Sequence, residues 1–166
     1  MFFREPGKEH SLADVTRKAK LAHTSVKAHL AALKKEGIIR ERAELQGGRR
    51  YIKYRADVEN GAYRSAKRVQ NLLRLEETRL IAFLQEKMLP DAIVLFGSYA
   101  RGEDVEESDI DLYLACETEA PDLAPFERKL GRRIRLHRRA EFRRYPPELK
   151  NNIANGIVMS GYLEAF

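Results

Sequence analysis

Residues 92–112 read AIVLFGSYARGEDVEESDIDL, and the fold of the C-terminal half turns on them. The continuous apolar run 92–96, closed by Gly97, has the pattern of a strand buried on both faces. Gly97-Ser98-Tyr99-Ala100-Arg101-Gly102 follows it directly. Ser108-Asp109-Ile110-Asp111-Leu112 then opens a second strand that is expected to run through Ala115. Side chains alternate along a strand, so Asp109 and Asp111 share one face while Ile110 and Leu112 point to the core. Two carboxylates roughly 7 Å apart along a strand can jointly hold a divalent cation. Gly97 and Ser98, where a strand passes into a helix start, can offer backbone amides and a hydroxyl to phosphate.

The string GSYARGEDVEESDIDL is similar to the GS-x-x-R-G…S-D-I-D-L signature of minimal nucleotidyltransferases, members of the DNA polymerase β superfamily. A D-x-D pair alone says little, because acids are common on surfaces. The same pair preceded at this spacing by a strand and GS-x-x-R-G is a specific pattern. The resemblance spans about residues 76–166 and implies a small mixed sheet with flanking helices, binding of NTP and Mg²⁺, and nucleotidyl transfer. Carried onto this chain, it makes Asp109 and Asp111 the catalytic, metal-holding carboxylates. Gly97 and Ser98 would hold the triphosphate. Arg101 would brace the loop or touch phosphate, or else pair with the acids of the 103–107 loop.

One departure from that pattern bears on activity. Active members place a third carboxylate on the next strand to complete a two-metal site. Here the next strand is expected at Arg133–Arg138, with Arg133, Arg135 and His137 on its outward face, and residues 128–140 hold no Asp or Glu. Arg135 stands where the acid is expected. A guanidinium there would neutralise Asp109 and Asp111 and compete with a metal, which points to a degenerate site. Glu141 is the acid that could substitute from a neighbouring loop. The basic run 128–144 could bind nucleic acid or cover the acidic stretch 103–127; the two are adjacent and balance closely, so internal charge pairing is the first expectation. After them, Pro146 to Gly156 reads as a helix started by proline and ended by glycine.

Upstream, Ser11 with Asp14 three residues on predicts an N-cap and a helix to about Lys20. Leu21 to Thr24 reads as a tight turn, with His23 or Thr24 capping a second helix to about Glu36. Val26, Leu30 and Leu33 lie on one face of it, and Gly37 stops it. Two β-rich segments, Ile38–Leu45 and Arg49–Arg55, flank Gln46-Gly47-Gly48 and predict a hairpin. The segment LAHTSVKAHLAALKKEGII, within residues 9–56, resembles the recognition helix and wing start of bacterial and archaeal winged helix-turn-helix regulators. That resemblance implies a helix 24–36 in the DNA major groove, with Thr24, Ser25, Lys27 and Ala28 at bases or phosphates. Arg49, Arg50 and Lys53 would reach the backbone or minor groove from the wing. A pair of half-sites, and so a homodimer, is the expected partner geometry. Only Met1–Pro6 is available for the first helix of such a domain. That helix must be short, or a partner chain or the following helix must complete the fold.

From Val58 to about Met88 the pattern is helical, broken near Leu75–Thr78. Ala62, Ala66, Val69 and Leu73 form a seam on it, a candidate contact for a second copy. The expected organisation is α+β: a winged helix-turn-helix at 1–57, a linker helix at 58–75, and a nucleotidyltransferase-like domain at 76–166. The chain has 166 residues and a formal charge of +6. Residues 1–60 hold 14 Lys and Arg against 8 Asp and Glu, which is that whole excess. A basic N-terminal third fits a polyanionic partner such as double-stranded DNA. The single cysteine, Cys116, leaves no internal disulfide and fits a reducing compartment. No apolar run nears the roughly 20 residues of a membrane span, and charges interrupt the first ten residues, so a cytoplasmic, soluble protein is expected.

These readings give a DNA-binding, transcriptional regulator-like protein carrying a degenerate nucleotidyltransferase domain. The alternative is an active enzyme that uses Mg²⁺ to transfer a nucleoside monophosphate from NTP to a protein or small molecule. A third reading is an antitoxin-like role beside a helical partner protein.

Overall fold

The computed structural model describes residues 1–139 and 142–164. The chain divides into two compact units, Met1–Lys67 and Arg68–Phe166. The division falls within one helix, α3 (Gly61–Thr78), whereas the sequence pattern placed boundaries at 57 and 75. Among the described residues no helix is long and apolar enough to cross a membrane.

In the first unit, β1 (His10–Ser11) leads into α1 (Leu12–Ala19) and α2 (His23–Lys35). The hairpin β2 (Ile39–Gln46) and β3 (Arg49–Ala56) follows, giving an antiparallel sheet of order β1-β3-β2. Ser11 caps α1 as expected: its hydroxyl accepts from the Asp14 amide at 3.1 Å, and the Asp14 carboxylate accepts from the Ser11 amide at 3.1 Å. The start of α2 differs from expectation. Its N-cap is Ala22, which has no side-chain oxygen, so neither His23 nor Thr24 caps it. Ala22 is extended and the helix begins at His23, which places both residues inside the first turn. The hairpin closes with Gln46 paired to Arg49 around Gly47 and Gly48, both at positive φ (58° and 77°). A two-residue turn of this kind matches the twist of the strands and requires glycine-like backbone freedom.

Residues 1–7 form turns rather than a helix, since so short a segment cannot meet the cost of helix nucleation. Phe2 nonetheless enters the core with Val15, Val26, Leu30, Ile38, Ile39 and Ala56. The beginning of α3 completes that core. Tyr63 is buried in it, and its hydroxyl donates to the Phe2 carbonyl at 3.2 Å.

The second unit holds the rest of α3, α4 (Leu80–Met88), β4 (Ala92–Phe96), α5 (Gly97–Arg101) and β5 (Ile110–Leu114). It continues with α6 (Ala124–Leu130), β6 (Ile134–Arg138), a 3-10 turn (Phe142–Arg144), α7 (Pro147–Ala154) and β7 (Ile157–Gly161). Its sheet has the order β6-β5-β4-β7, with β5 and β6 parallel and the other neighbours antiparallel. It is therefore mixed, as expected. Alternation along β4 and β5 builds two cores. Ile93, Leu95, Ile110, Leu112 and Leu114 pack with Leu80, Leu84 and Met88, while Val94, Phe96 and Tyr113 pack with Phe142, Tyr145 and Ile153. The helical stretch breaks at Arg79, which takes φ 59°, one residue beyond the predicted interval. Along α3, Val69 and Leu73 are more than half exposed, at 57% and 54%.

Candidate functional site

The residues of the quoted stretch meet where β4 ends and β5 begins. Phe96, the last residue of β4, pairs with Asp111 of β5, so the chain turns at Gly97 directly beside the Asp111 carboxylate. Gly97 takes φ +76°, and a Cβ on it would lie 2.7 Å from Asp111 Oδ2. Only glycine meets both demands. Ser98 follows, half-buried, while Tyr99 and Ala100 are buried and anchor α5 to the sheet. Burial pushes the Tyr99 phenol up to about 12, and its hydroxyl has no partner among the described residues. Arg101 is exposed, and its Nε donates to Glu103 of the acidic loop at 2.7 Å.

Asp109 lies one residue ahead of β5, which starts at Ile110 rather than at Asp109. The parallel register sets Asp111 beside Arg135 and Tyr113 beside His137. Arg135 Nη2 donates to Asp109 Oδ2 at 2.6 Å, and His137 Nε2 lies 3.2 Å from Asp111 Oδ1. The His137 ring also packs edge-on against Phe96, with centroids 5.0 Å apart. Asp109, Asp111, Arg135 and His137 thus share one face of the sheet. A carboxylate at position 135 would sit beside Asp111, and an arginine occupies that place instead.

The residues present do not fit a two-metal centre. Each of the two carboxylates is engaged by a basic side chain. No group of three His, Cys, Asp or Glu side chains among the described residues is placed to hold a metal ion. Glu141, the acid named as a substitute from a neighbouring loop, lies outside the described residues.

A network that the sequence did not signal holds the 102–109 loop. Asp104 is buried, with Arg132 Nη2 at 3.2 Å and Asn71 Nδ2 at 2.8 Å on its two oxygens. Asn71 also donates to the Tyr99 carbonyl at 2.9 Å, and Arg132 Nη1 donates to the Val105 carbonyl. Arg138 reaches the Thr118 carbonyl at 2.6 Å. Two ion pairs, Arg132–Asp104 and Arg135–Asp109, therefore join the basic run to the acidic one. Nothing local marks Asp104 or Arg132, since each stands among several residues of its own sign.

The residues predicted to touch nucleic acid lie in the first unit. Thr24, Ser25, Lys27 and Ala28 are exposed on the first turns of α2. Arg49 and Arg50 are exposed where β3 leaves the turn, and Lys53 is half-buried opposite Arg42 and Ser11. Of the seven, Lys27 and Arg50 line one groove, between α2 and the hairpin. The other five do not.

The family model described as polymerase beta, nucleotidyltransferase matches residues 78–163. No curated protein and no solved structure matches the chain. The matched residues begin at the end of α3, take in the whole four-stranded mixed sheet, and include both aspartates and the glycine turn beside them. By that match, and by the sheet that carries it, the chain belongs to the polymerase beta nucleotidyltransferase family.

Proposed function

We propose that this protein is a DNA-binding regulator whose nucleotidyltransferase domain has lost its metal-dependent chemistry and serves as a scaffold. The observation that carries the second half is the ion pair at 2.6 Å between Arg135 and Asp109, with Arg135 in register beside Asp111. Where the family's reaction needs negative charge to gather cations, this chain supplies a cation of its own. A bound divalent ion would have to displace that guanidinium and leave it facing like charge.

DNA binding is supported by the basic excess of residues 1–60 and by the order of two helices and a glycine-tipped hairpin. On this reading α2 lies in the major groove with Thr24, Ser25, Lys27 and Ala28 toward the bases, and Arg49, Arg50 and Lys53 neutralise phosphates. A homodimer on paired half-sites supplies the specificity that one short helix lacks, and the exposed Val69 and Leu73 are its contact candidates.

A second reading is supported by one feature: Gly97 and Ser98, following β4, lie beside Asp109 and Asp111 at the start of β5. On it the protein transfers a nucleoside monophosphate to a protein or small molecule, alone or as the antitoxin-like partner of a helical protein.

Calorimetric titration separates the two. Mg²⁺ and ATP or GTP are titrated, alone and together, into the wild type and the Asp109→Ala/Asp111→Ala variant. The scaffold reading expects no Mg²⁺-dependent nucleotide binding by the wild type. Binding that needs Mg²⁺ and disappears in the double variant would overturn it and establish the second reading.

A further inference from the structure

The first unit contains a groove of which the proposed DNA contacts account for only two lining residues, Lys27 and Arg50. It lies open between α2 and the β2–β3 hairpin and measures about 850 Å³. Pockets for small molecules typically measure ~300–1,000 Å³ and combine an apolar lining with a few polar groups. Here Leu12, Leu30, Ala31, Ile52 and Tyr54 supply apolar lining. Ile52 is 39% exposed although it sits on a strand of the unit's only described sheet, so apolar surface is left open to water at this place.

The polar lining has one sign. Lys27, Lys34, Lys35 and Arg50 line the groove against a single acid, Glu41. Glu41 is already paired with Lys34 at 3.0 Å. Lys27, Lys35 and Arg50 make no ion pair among the described residues, which leaves three cations around an apolar surface. A phosphodiester backbone would meet the cations but not the apolar lining. A molecule with one carboxylate and a hydrocarbon or aromatic body meets both.

We propose that this groove binds a small amphipathic carboxylate, its body against Leu30, Ala31 and Ile52 and its anion toward Lys27, Lys35 and Arg50. Lys27 and Arg50 also belong to the proposed DNA contacts. Occupancy therefore opposes DNA binding, a consequence that rests on the DNA-binding reading while the site itself does not.

The test uses the full chain with sodium decanoate as probe and decylammonium chloride as its charge-reversed control, both by calorimetry. Saturable binding of decanoate without comparable binding of decylammonium is expected. Ala31→Glu adds a carboxylate to the groove at an exposed helix position that tolerates glutamate, and weakens decanoate binding by about tenfold or more through like-charge repulsion. Lys27→Gln/Arg50→Gln weakens it in the same direction, with the far-ultraviolet circular dichroism of both variants unchanged. Absence of saturable binding by the wild type, equal binding of the two probes, or unaltered binding by both variants would overturn the proposal. A DNA titration with and without decanoate is read separately. DNA binding that decanoate leaves unchanged removes the regulatory consequence, and a chain that binds decanoate but no DNA refutes the DNA reading alone.

Discussion

Arg135→Asp restores a carboxylate at the position beside Asp111, and its effects can be sized from the structure. The substitution removes the Arg135–Asp109 pair, in which the arginine side chain is 60% exposed. A pair so exposed contributes no more than ~1 kcal/mol. It also sets a new carboxylate near two others. At the ~4.8 Å spacing of adjacent strands and an effective dielectric of about 40, each such neighbour costs on the order of 1–2 kcal/mol. The total, ~2–5 kcal/mol, corresponds to a fall in melting temperature of about 10–25 °C for a unit of this size. Three carboxylates on one face form a divalent-cation site. Mg²⁺ at ten to a hundred times its dissociation constant then returns ~1.4–2.7 kcal/mol. The assay is thermal unfolding followed by circular dichroism, in EDTA and in millimolar MgCl₂, for wild type, Arg135→Asp and Arg135→Ala. The wild type is expected to be indifferent to Mg²⁺, as is Arg135→Ala, which removes the cation without adding an anion. Arg135→Asp is expected to melt lower in EDTA and recover in MgCl₂. A folded Arg135→Asp that melts at the same temperature in both buffers would refute the claim that this one residue closes the metal site.

Three further outcomes follow from the same structure. Arg132→Met strips the buried Asp104 carboxylate of its guanidinium, so urea unfolding should show a loss of about 3 kcal/mol; a loss below ~1 kcal/mol would mean that this network does not hold the 102–109 loop. Gly97→Ala, which meets Asp111 Oδ2 at 2.7 Å with φ at +76°, should cost ~1–3 kcal/mol, measured the same way. His10 is buried and its Nε2 has no hydrogen-bond partner among the described residues, and burial holds its pKa below the ordinary histidine value. The folded protein keeps it neutral while the unfolded chain takes up a proton below about pH 6.5, so stability is full above that pH and falls on acidification. A melting series from pH 7.5 to 5 should show that slope, and His10→Gln should flatten it.

How far the sequence carried depended on whether a signal was local. The apolar run of β4 and the polar–apolar alternation at the start of β5 placed both strands, because each pattern lies in neighbouring residues; Tyr113, buried on the second face of β5, shows that this strand too is covered on both sides. Ser11 and Asp14 announced the cap of α1 for the same reason, since the partners lie three residues apart. The start of α2 misled because His23 and Thr24 stand one and two residues past the cap, which falls on Ala22. Nothing in the residues themselves showed that the backbone would leave its extended conformation at Ala22. Asn71, Asp104 and Arg132 were silent, because a buried polar network is defined by who meets whom across 28 to 33 residues of chain.

The sequence by itself therefore determined the family of the C-terminal unit, the shared face of its two aspartates and the absence of an acid in the strand that follows. Those properties depend on spacing and on the two-residue period of a strand, which a linear string records. Only the tertiary structure decided that Arg135 reaches Asp109, that His137 faces Asp111, that Arg101 pairs with Glu103, and that Tyr63 completes the first core. Each of these depends on strand register or on the direction a side chain takes after packing, and a shift of one residue in register would have reversed the faces.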